Sequence, residues 1–424
     1  MKDLLPVLQE FNTQLNAANT LYLAFSGGLD SSCLLHLLKQ AKLSPTLLHV
    51  NHQLSPSADA WATHCKKVAE RYGFPIVVEH VSVSNSGKGL ENAARESRYE
   101  VFLKYLQSGD CLLTAHHLDD QVETVFFRLL RGAGSRGLSG INIERELGEA
   151  RMLRPLLKVM REELLDYAKL NELSWVEDES NQNTNLDRNF LRQNIFPLLQ
   201  GRWPGFARRA AEASSSLCQT GALLDEYARE DILACECRTE RTGQSLKIKK
   251  LLSLSISRRQ NIIRTWISDL GFNLPSRAQM EQLEWLLVAK DDAQPHVIIG
   301  NYELRRYNQR VYCMKKLCNL SELQLDELPW DSSRPLNLRG AGRIEQTAGV
   351  PQEFSIRFRR GGERCKPHGR DKSQRLKKLL QEYGLEPWLR DRIPLVFLRG
   401  ELVAVGDLFT CSENADFRFV LTYL

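Results

Sequence analysis

Two hydrophobic patterns alternate over the first two hundred residues. Short apolar runs at Leu21–Phe25, Thr46–Val50, Pro75–Val83 and Asp110–Ala115 read as strands. Between them, apolar positions recur three and four apart. That spacing predicts helices over Asp30–Lys39, Ala58–Tyr72, Leu90–Leu106 and Asp119–Arg131, the first with Leu34, Leu35 and Leu38 on one face. A β-α-β-α rhythm predicts an α/β domain over residues 1–200, a parallel sheet flanked by helices. Ligands of such sheets bind at the carboxyl ends of the strands.

After Pro197 the pattern changes. Residues 201–320 read as a mainly helical domain, in which Ile262, Ile263, Trp266, Ile267 and Leu270 share one face, with strands at Val297–Tyr312. The turn-rich stretch Leu320–Val350 reads as a linker. Residues 350–424 read as a small mixed α/β domain, and no internal repeat is visible.

Composition narrows the class. A chain of 424 residues with 42% hydrophobic and 26% charged residues is of soluble globular type, long enough for two or three domains. No segment approaches the ~18 consecutive apolar residues of a membrane helix. Met1-Lys2-Asp3-Leu4-Leu5-Pro6 lacks the features of a signal peptide, so the expected compartment is the cytoplasm, with no membrane partner. None of the ten cysteines forms a C-x-x-C pair, so they read as reduced and structural. The net charge of +5 decides little, but Arg357–Lys378 holds ten Lys or Arg against two acids. That stretch suits RNA or a solvated charged surface.

The strongest chemical signal is Ser26-Gly27-Gly28-Leu29-Asp30-Ser31-Ser32, between the first strand and the first helix. Adjacent glycines let the backbone turn tightly against a ligand. The free N–H groups of the following helix attract phosphate. Ser26, Ser31 and Ser32 add hydroxyls, and Asp30 beside phosphate suits Mg²⁺. The alternative is a plain turn with Asp30 as a helix cap. No G-K-[ST] follows, which excludes a Walker loop. The string resembles the pyrophosphatase-loop (PP-loop) family, which implies a five-stranded parallel sheet, ATP cleavage between the α- and β-phosphates, and adenylation of a substrate.

Further strings narrow the resemblance. They are His49-Val50-Asn51-His52-Gln53-Leu54, Gly89-Leu90-Glu91-Asn92-Ala93-Ala94-Arg95-Glu96-Ser97-Arg98-Tyr99, Thr114-Ala115-His116-His117-Leu118-Asp119-Asp120-Gln121-Val122-Glu123-Thr124 and Arg131-Gly132-Ala133-Gly134-Ser135-Arg136-Gly137-Leu138. Asp178-Glu179-Ser180-Asn181 and Arg188-Asn189-Phe190-Leu191-Arg192 extend them. Together they resemble the tRNA(Ile)-lysidine synthetase family over most of the chain, more loosely between about 205 and 350. The resemblance implies a two-step reaction on the cytidine at the first anticodon position of tRNA(Ile) with a CAU anticodon. ATP adenylates the base at O2, and then the ε-amine of free L-lysine displaces AMP at C2.

On that resemblance each residue acquires a role beside its plainer alternative. Ser26, Gly27, Gly28, Leu29, Asp30, Ser31 and Ser32 bind ATP, with Val50 and Asn51 at the nucleotide. Asp30 holds the metal. Glu91, Arg95 and Arg98 share a helix face, where arginines hold phosphate or the lysine carboxylate, or else form a salt-bridge stripe. Asp120 and Glu123, pointing away from an apolar face of Val122, Val125, Phe126, Leu129 and Leu130, bind lysine and one accepts its proton, since an amine with pKa ~10.4 must become neutral to attack. The alternative is stabilisation of a helix N-terminus, a role that fits Asp119 better. Asp30, Arg95, Asp120 and Glu123 are thus the catalytic candidates. Arg131, Arg136, Arg188, Arg192, Lys372, Arg375 and Lys377 are the candidate tRNA contacts, the first two on a flexible glycine-rich loop. His52, His116 and His117 lie near the site and read as structural or hydrogen-bonding. A tRNA thiolase of the same loop family and a non-catalytic tRNA-binding protein stay as alternatives, and the oligomeric state, a homodimer included, stays open.

Overall fold

A computed structural model describes residues 3–82, 90–179, 184, 186–290, 295–319, 327–411 and 416–423. The chain divides into two compact units, Met1–Leu223 and Leu224–Leu424, and the division falls inside one long helix, Phe206–Ala234.

The first unit begins with two short helices and then alternates strand and helix. The order is β1 (Leu21–Ala24), α1 (Leu29–Gln40), β2 (Thr46–Asn51), α2 (Ala58–Tyr72), β3 (Ile76–His80), α3 (Leu90–Tyr105), β4 (Cys111–Leu113) and α4 (Leu118–Leu130). A short helix α5 (Ser135–Leu138), a hairpin of β5 (Glu144–Leu147) and β6 (Ala150–Leu153), and α6 (Arg161–Leu170) follow. The sheet order is β3-β2-β1-β4-β6-β5. Five strands run parallel as expected, and β5 adds an antiparallel sixth at the edge.

Period-two alternation sends side chains to opposite faces. Leu23, Leu47, Leu113 and Leu153 enter one core with the α1 leucines and Leu164 of α6. Leu48, Leu112 and Met152 enter the other with Phe102 of α3. Helices therefore cover both faces.

The second unit contains two cores. One packs the helices Ile248–Leu252, Ile256–Asp269 and Arg277–Val288 on a five-stranded antiparallel sheet, with Trp266, Ile267 and Leu283 buried. The other gathers antiparallel strands from Leu328–Asp331 to Arg418–Thr422 around Leu376, Leu379 and Val396. Here the linker reading of Leu320–Val350 is corrected. Trp330, Leu338 and Ile344 are buried in this core, and Gly342–Ala348 pairs with Arg418–Thr422. Short strands with one polar face resemble a linker until their partners are known. Residues 320–326 lie outside the described residues.

Candidate active site

The chain leaves β1 toward β2 and β3, then returns to β4 on the other side of β1. Loops leaving the carboxyl ends of β1 and β4 therefore diverge and open a crevice. The glycine loop and the His116-His117 loop meet there, with His117 Nε2 at 3.7 Å from Asp30 Oδ2.

Gly27 has φ +80°, and a Cβ there would lie 2.7 Å from Cys65 Sγ, so the turn requires glycine. Its neighbours brace the loop. Ser31 Oγ donates to the Gly28 carbonyl at 3.1 Å and lies 3.1 Å from Ser26 Oγ, which accepts from Gly28 N at 3.3 Å. Leu29 is buried, so it offers the crevice only backbone. Asp30 Oδ1 and Ser32 Oγ are buried without a hydrogen-bond partner. Orphaned buried acceptors are costly, and these two fit a ligand that brings a cation and phosphate. Among the described residues, no group of three or more His, Cys, Asp or Glu is arranged to hold a metal. A magnesium ion at Asp30 would complete its shell from phosphate and water, as that ion commonly does.

His117 is 2% exposed and lies 3.6 Å from Asp119, 3.6 Å from Asp120 and 3.7 Å from Asp30. Burial opposes its charge, but the carboxylates, Asp120 foremost, overcome it and lift its pKa to about 9. Burial raises the Asp30 carboxyl, partly offset by the His117 imidazolium. Asp120 Oδ2 accepts from the His117 backbone N–H at 3.0 Å, closing the first turn of α4. Asp119 instead accepts from Arg161 N at 2.8 Å, at the start of α6. The helix-capping role expected of Asp119 within α4 thus belongs to Asp120.

Glu123 is 3% exposed and accepts from Arg192 Nε at 2.7 Å; Arg192 also lies 4.0 Å from Asp120. Burial raises the Glu123 carboxyl, with Arg192 opposing. Glu123 is thus enclosed, and Arg192, expected as a tRNA contact, is engaged with carboxylates at the crevice. The expected apolar face of α4 also fails at its end: Leu129 and Leu130 are exposed, whereas Gln121, Glu123 and Thr124 are buried. The start of the helix is enclosed, with Leu118, Val122 and Phe126 packed on Phe196, Phe206 and Ala207.

His116 Nδ1 lies 2.8 Å from Thr114 Oγ1, and burial, against the pull of Asp120, pushes its pKa down to about 4. Burial, with Arg98 and His49, pushes His52 down to about 4 as well. Asn51 is buried, donating to Asp59 Oδ1 at 2.9 Å and accepting from Gln53 N at 2.9 Å, so its side chain is satisfied within the protein instead of turned to nucleotide. Val50 lies beyond Leu48, the last β2 residue paired with β1. Arg95 donates to Tyr99 Oη at 3.3 Å. The Glu91 side chain lies outside the described residues, as do Gly89, Ser180 and Asn181.

The glycine-rich loop is not free. Ser135–Leu138 is helical, and Arg128 Nη1 donates to the carbonyls of Gly137 and Gly140, each at 2.8 Å. Arg136 is half-buried there. The Arg131 guanidinium lies 3.8 Å from the Phe127 ring centroid and 3.9 Å from Asp187, and Arg188 lies 5.8 Å from the same ring. Arg128, Tyr99 and Arg154 were not singled out from sequence. The one signal for Arg154 is its place after a strand, and that strand was itself unrecognised. In the second unit Lys372, Arg375 and Lys377 are exposed.

All ten cysteines are free. Burial pushes Cys33, Cys65 and Cys111 up to about 12, which leaves none of these three a reactive thiolate, against the thiolase alternative.

Comparison with known families matches residues 4–199 to the PP-loop domain, 246–312 to the TilS substrate binding domain and 354–418 to the TilS substrate C-terminal domain. The chain is 39% identical over 418 residues to a tRNA(Ile)-lysidine synthase of Shigella flexneri, covering 95% of each. It is 40% identical over 418 residues to that of Serratia proteamaculans (strain 568), covering 95% of this chain and 94% of the relative. The Coxiella burnetii relative of the same name is 36% identical over 421 residues, covering 96% and 92%.

Proposed function

The chain belongs to the tRNA(Ile)-lysidine synthase family, and from that membership we infer how its own residues carry the reaction. The activity is ATP-dependent ligation of L-lysine to C2 of the cytidine at the first anticodon position of tRNA(Ile), which changes the codon read from Met to Ile. The observation that carries this reading is the crevice itself, where Asp30 of the glycine loop, His117, Asp120 and the Glu123–Arg192 pair converge.

In the first step the cytidine O2 attacks the α-phosphorus of ATP and pyrophosphate departs. The backbone from Ser26 to Ser32 cradles the phosphates at the N-terminus of α1. Magnesium, when bound at Asp30, supplies positive charge to the phosphoryl oxygens. His117, whose Nε2 lies 3.7 Å from Asp30 Oδ2, helps position that carboxylate. In the second step the lysine ε-amine attacks C2, and the C2–O2 bond to AMP breaks. Asp120 and Glu123 bind the ammonium group, and one of them takes its proton. Arg192 opposes the rise that burial imposes on the Glu123 carboxyl. Arg95 and Arg98 bind an oxyanion of one substrate. The second unit grips tRNA through Lys372, Arg375 and Lys377. Such a substrate places the enzyme in the cytoplasm, and no helix among the described residues is long and apolar enough to cross a membrane.

Purified chain incubated with tRNA(Ile), ATP and labelled lysine tests the reading. Lysine incorporated into tRNA with one pyrophosphate and one AMP per product is the expected result. RNA binding without pyrophosphate release would reduce the protein to a tRNA-binding module.

A further inference from the structure

One charged cluster in the first unit is used only in part by the reaction as described, which gives Arg95 an oxyanion without naming its source. Tyr99 of α3 is surrounded by guanidinium groups. Arg95 donates to its hydroxyl at 3.3 Å and lies 5.2 Å from the ring centroid. Arg145, on the edge strand β5, lies 4.8 Å from that centroid. Arg154, directly after β6, is near enough to interact electrostatically with Tyr99, Arg145 and Arg95.

None of these arginines pairs with a carboxylate among the described residues. Glu144, beside Arg145 in sequence, is taken by Arg151 at 3.1 Å. Arg154 is 2% exposed; its Nη1 donates to the Asn142 carbonyl at 2.6 Å and its Nη2 to Met152 Sδ at 3.0 Å, while Nε is buried without a partner. A buried guanidinium beside two others, with no counter-charge among the described residues, is an expensive arrangement. It becomes favourable once an anion enters.

We propose that Tyr99, Arg95, Arg145 and Arg154 form a subsite for a backbone phosphodiester of the RNA substrate. The proposal rests on the functional reading above and names the substrate whose oxyanion Arg95 would meet. Arg95 and Arg145 are exposed while Arg154 is buried, so the cluster has a buried end and an open rim. A polymer that continues past the site needs such a rim. Three guanidinium groups exceed what one amino-acid carboxylate requires, and they suit the fork geometry of phosphate. The tyrosine ring adds a stacking surface of the kind single-stranded RNA uses. The subsite is also close to the crevice, because Arg95 and Arg154 both act electrostatically on His116.

The test uses full-length Arg145→Ala, a change at an exposed edge-strand position, with the fold checked by thermal unfolding. Affinity for a tRNA(Ile) anticodon stem-loop should fall about tenfold, as for loss of one charge-assisted hydrogen bond. The slope of log affinity against log salt should shrink by about one. KM for ATP and for lysine should stay unchanged, and Arg145→Lys should recover part of the loss. Unchanged RNA affinity and salt slope, both in Arg145→Ala and in the double variant with Tyr99→Phe, would overturn the subsite. So would a rise in the KM for lysine with RNA binding intact, which assigns the site to a carboxylate. RNA binding is read here without turnover. A wild-type chain that binds the stem-loop yet incorporates no lysine would overturn the functional reading alone.

Discussion

Two sets of cations lack acidic partners among the described residues, and only one of them reaches into the interior. Around Tyr99 the set includes Arg154, almost wholly enclosed. In the basic stretch of the second unit it is Lys372, Arg375 and Lys377, all exposed. The neighbours of that second set are tied down: Arg357 to Glu327 at 2.8 Å, Arg359 to Asp391 at 2.9 Å and Arg370 to Glu382 at 2.7 Å. Ten cations in a row of sequence are therefore not one surface. Some serve the fold, while Lys372, Arg375 and Lys377 pair with no acid among the described residues. Burial then decides the kind of service. An enclosed arginine acts at one place, with little screening. An exposed lysine acts at longer range and fades with salt.

The largest effect that separates the two regions should come from Asp30→Ala. Lysidine formation should drop about a thousandfold or more, while tRNA affinity stays within about twofold because the lost group faces ATP and not RNA. Quench-flow of pyrophosphate release and a filter-binding titration measure the two, and a parallel fall in both would break the division between chemistry and grip. Next comes Arg192→Ala. It strands Glu123 in a buried site, and the expected loss is about 2 kcal/mol of stability in a denaturant titration. That figure is at the low end because Arg192 is 35% exposed. Adding Glu123→Gln should restore most of it; no restoration would mean that the pair is not what holds this region. The smallest effect belongs to the joint replacement of Lys372, Arg375 and Lys377 by alanine. Binding of tRNA near physiological salt should weaken about fivefold and the salt slope should fall by about two to three, with turnover at saturating tRNA unchanged. Wild-type affinity in that variant would make the exposed set incidental.

Much of the catalytic unit was legible in advance. The strands and helices β1 to α4 fall within a few residues of their expected positions, because each has a local hydrophobic period. The β5–β6 hairpin was not legible. Glu144-Arg145-Glu146-Leu147 has three exposed charged residues and no apolar run, and only pairing with β6 makes it a strand. Leu328–Ala348 failed for a similar reason, since Trp330 and Ile344 gain their meaning from Phe354 and Leu421 on other strands. On α4 the spacing of Leu129 and Leu130 suggested burial that no neighbouring element supplies.

The amino-acid order alone determined the glycine turn, the strand before it, the helix after it and hence the presence of a phosphate-receiving loop. All of these depend on backbone preferences and on neighbours within a few residues. It also determined which carboxylates stand near the strand ends. Only the tertiary structure decided what those carboxylates do. Arg192 meets Glu123 from sixty-nine positions away, the pKa of His117 is lifted because three acids from the first turns of two helices surround it, and Arg154 is buried by a strand pairing that no local pattern announces. Partnership and dielectric are properties of a folded neighbourhood, and protonation follows from them.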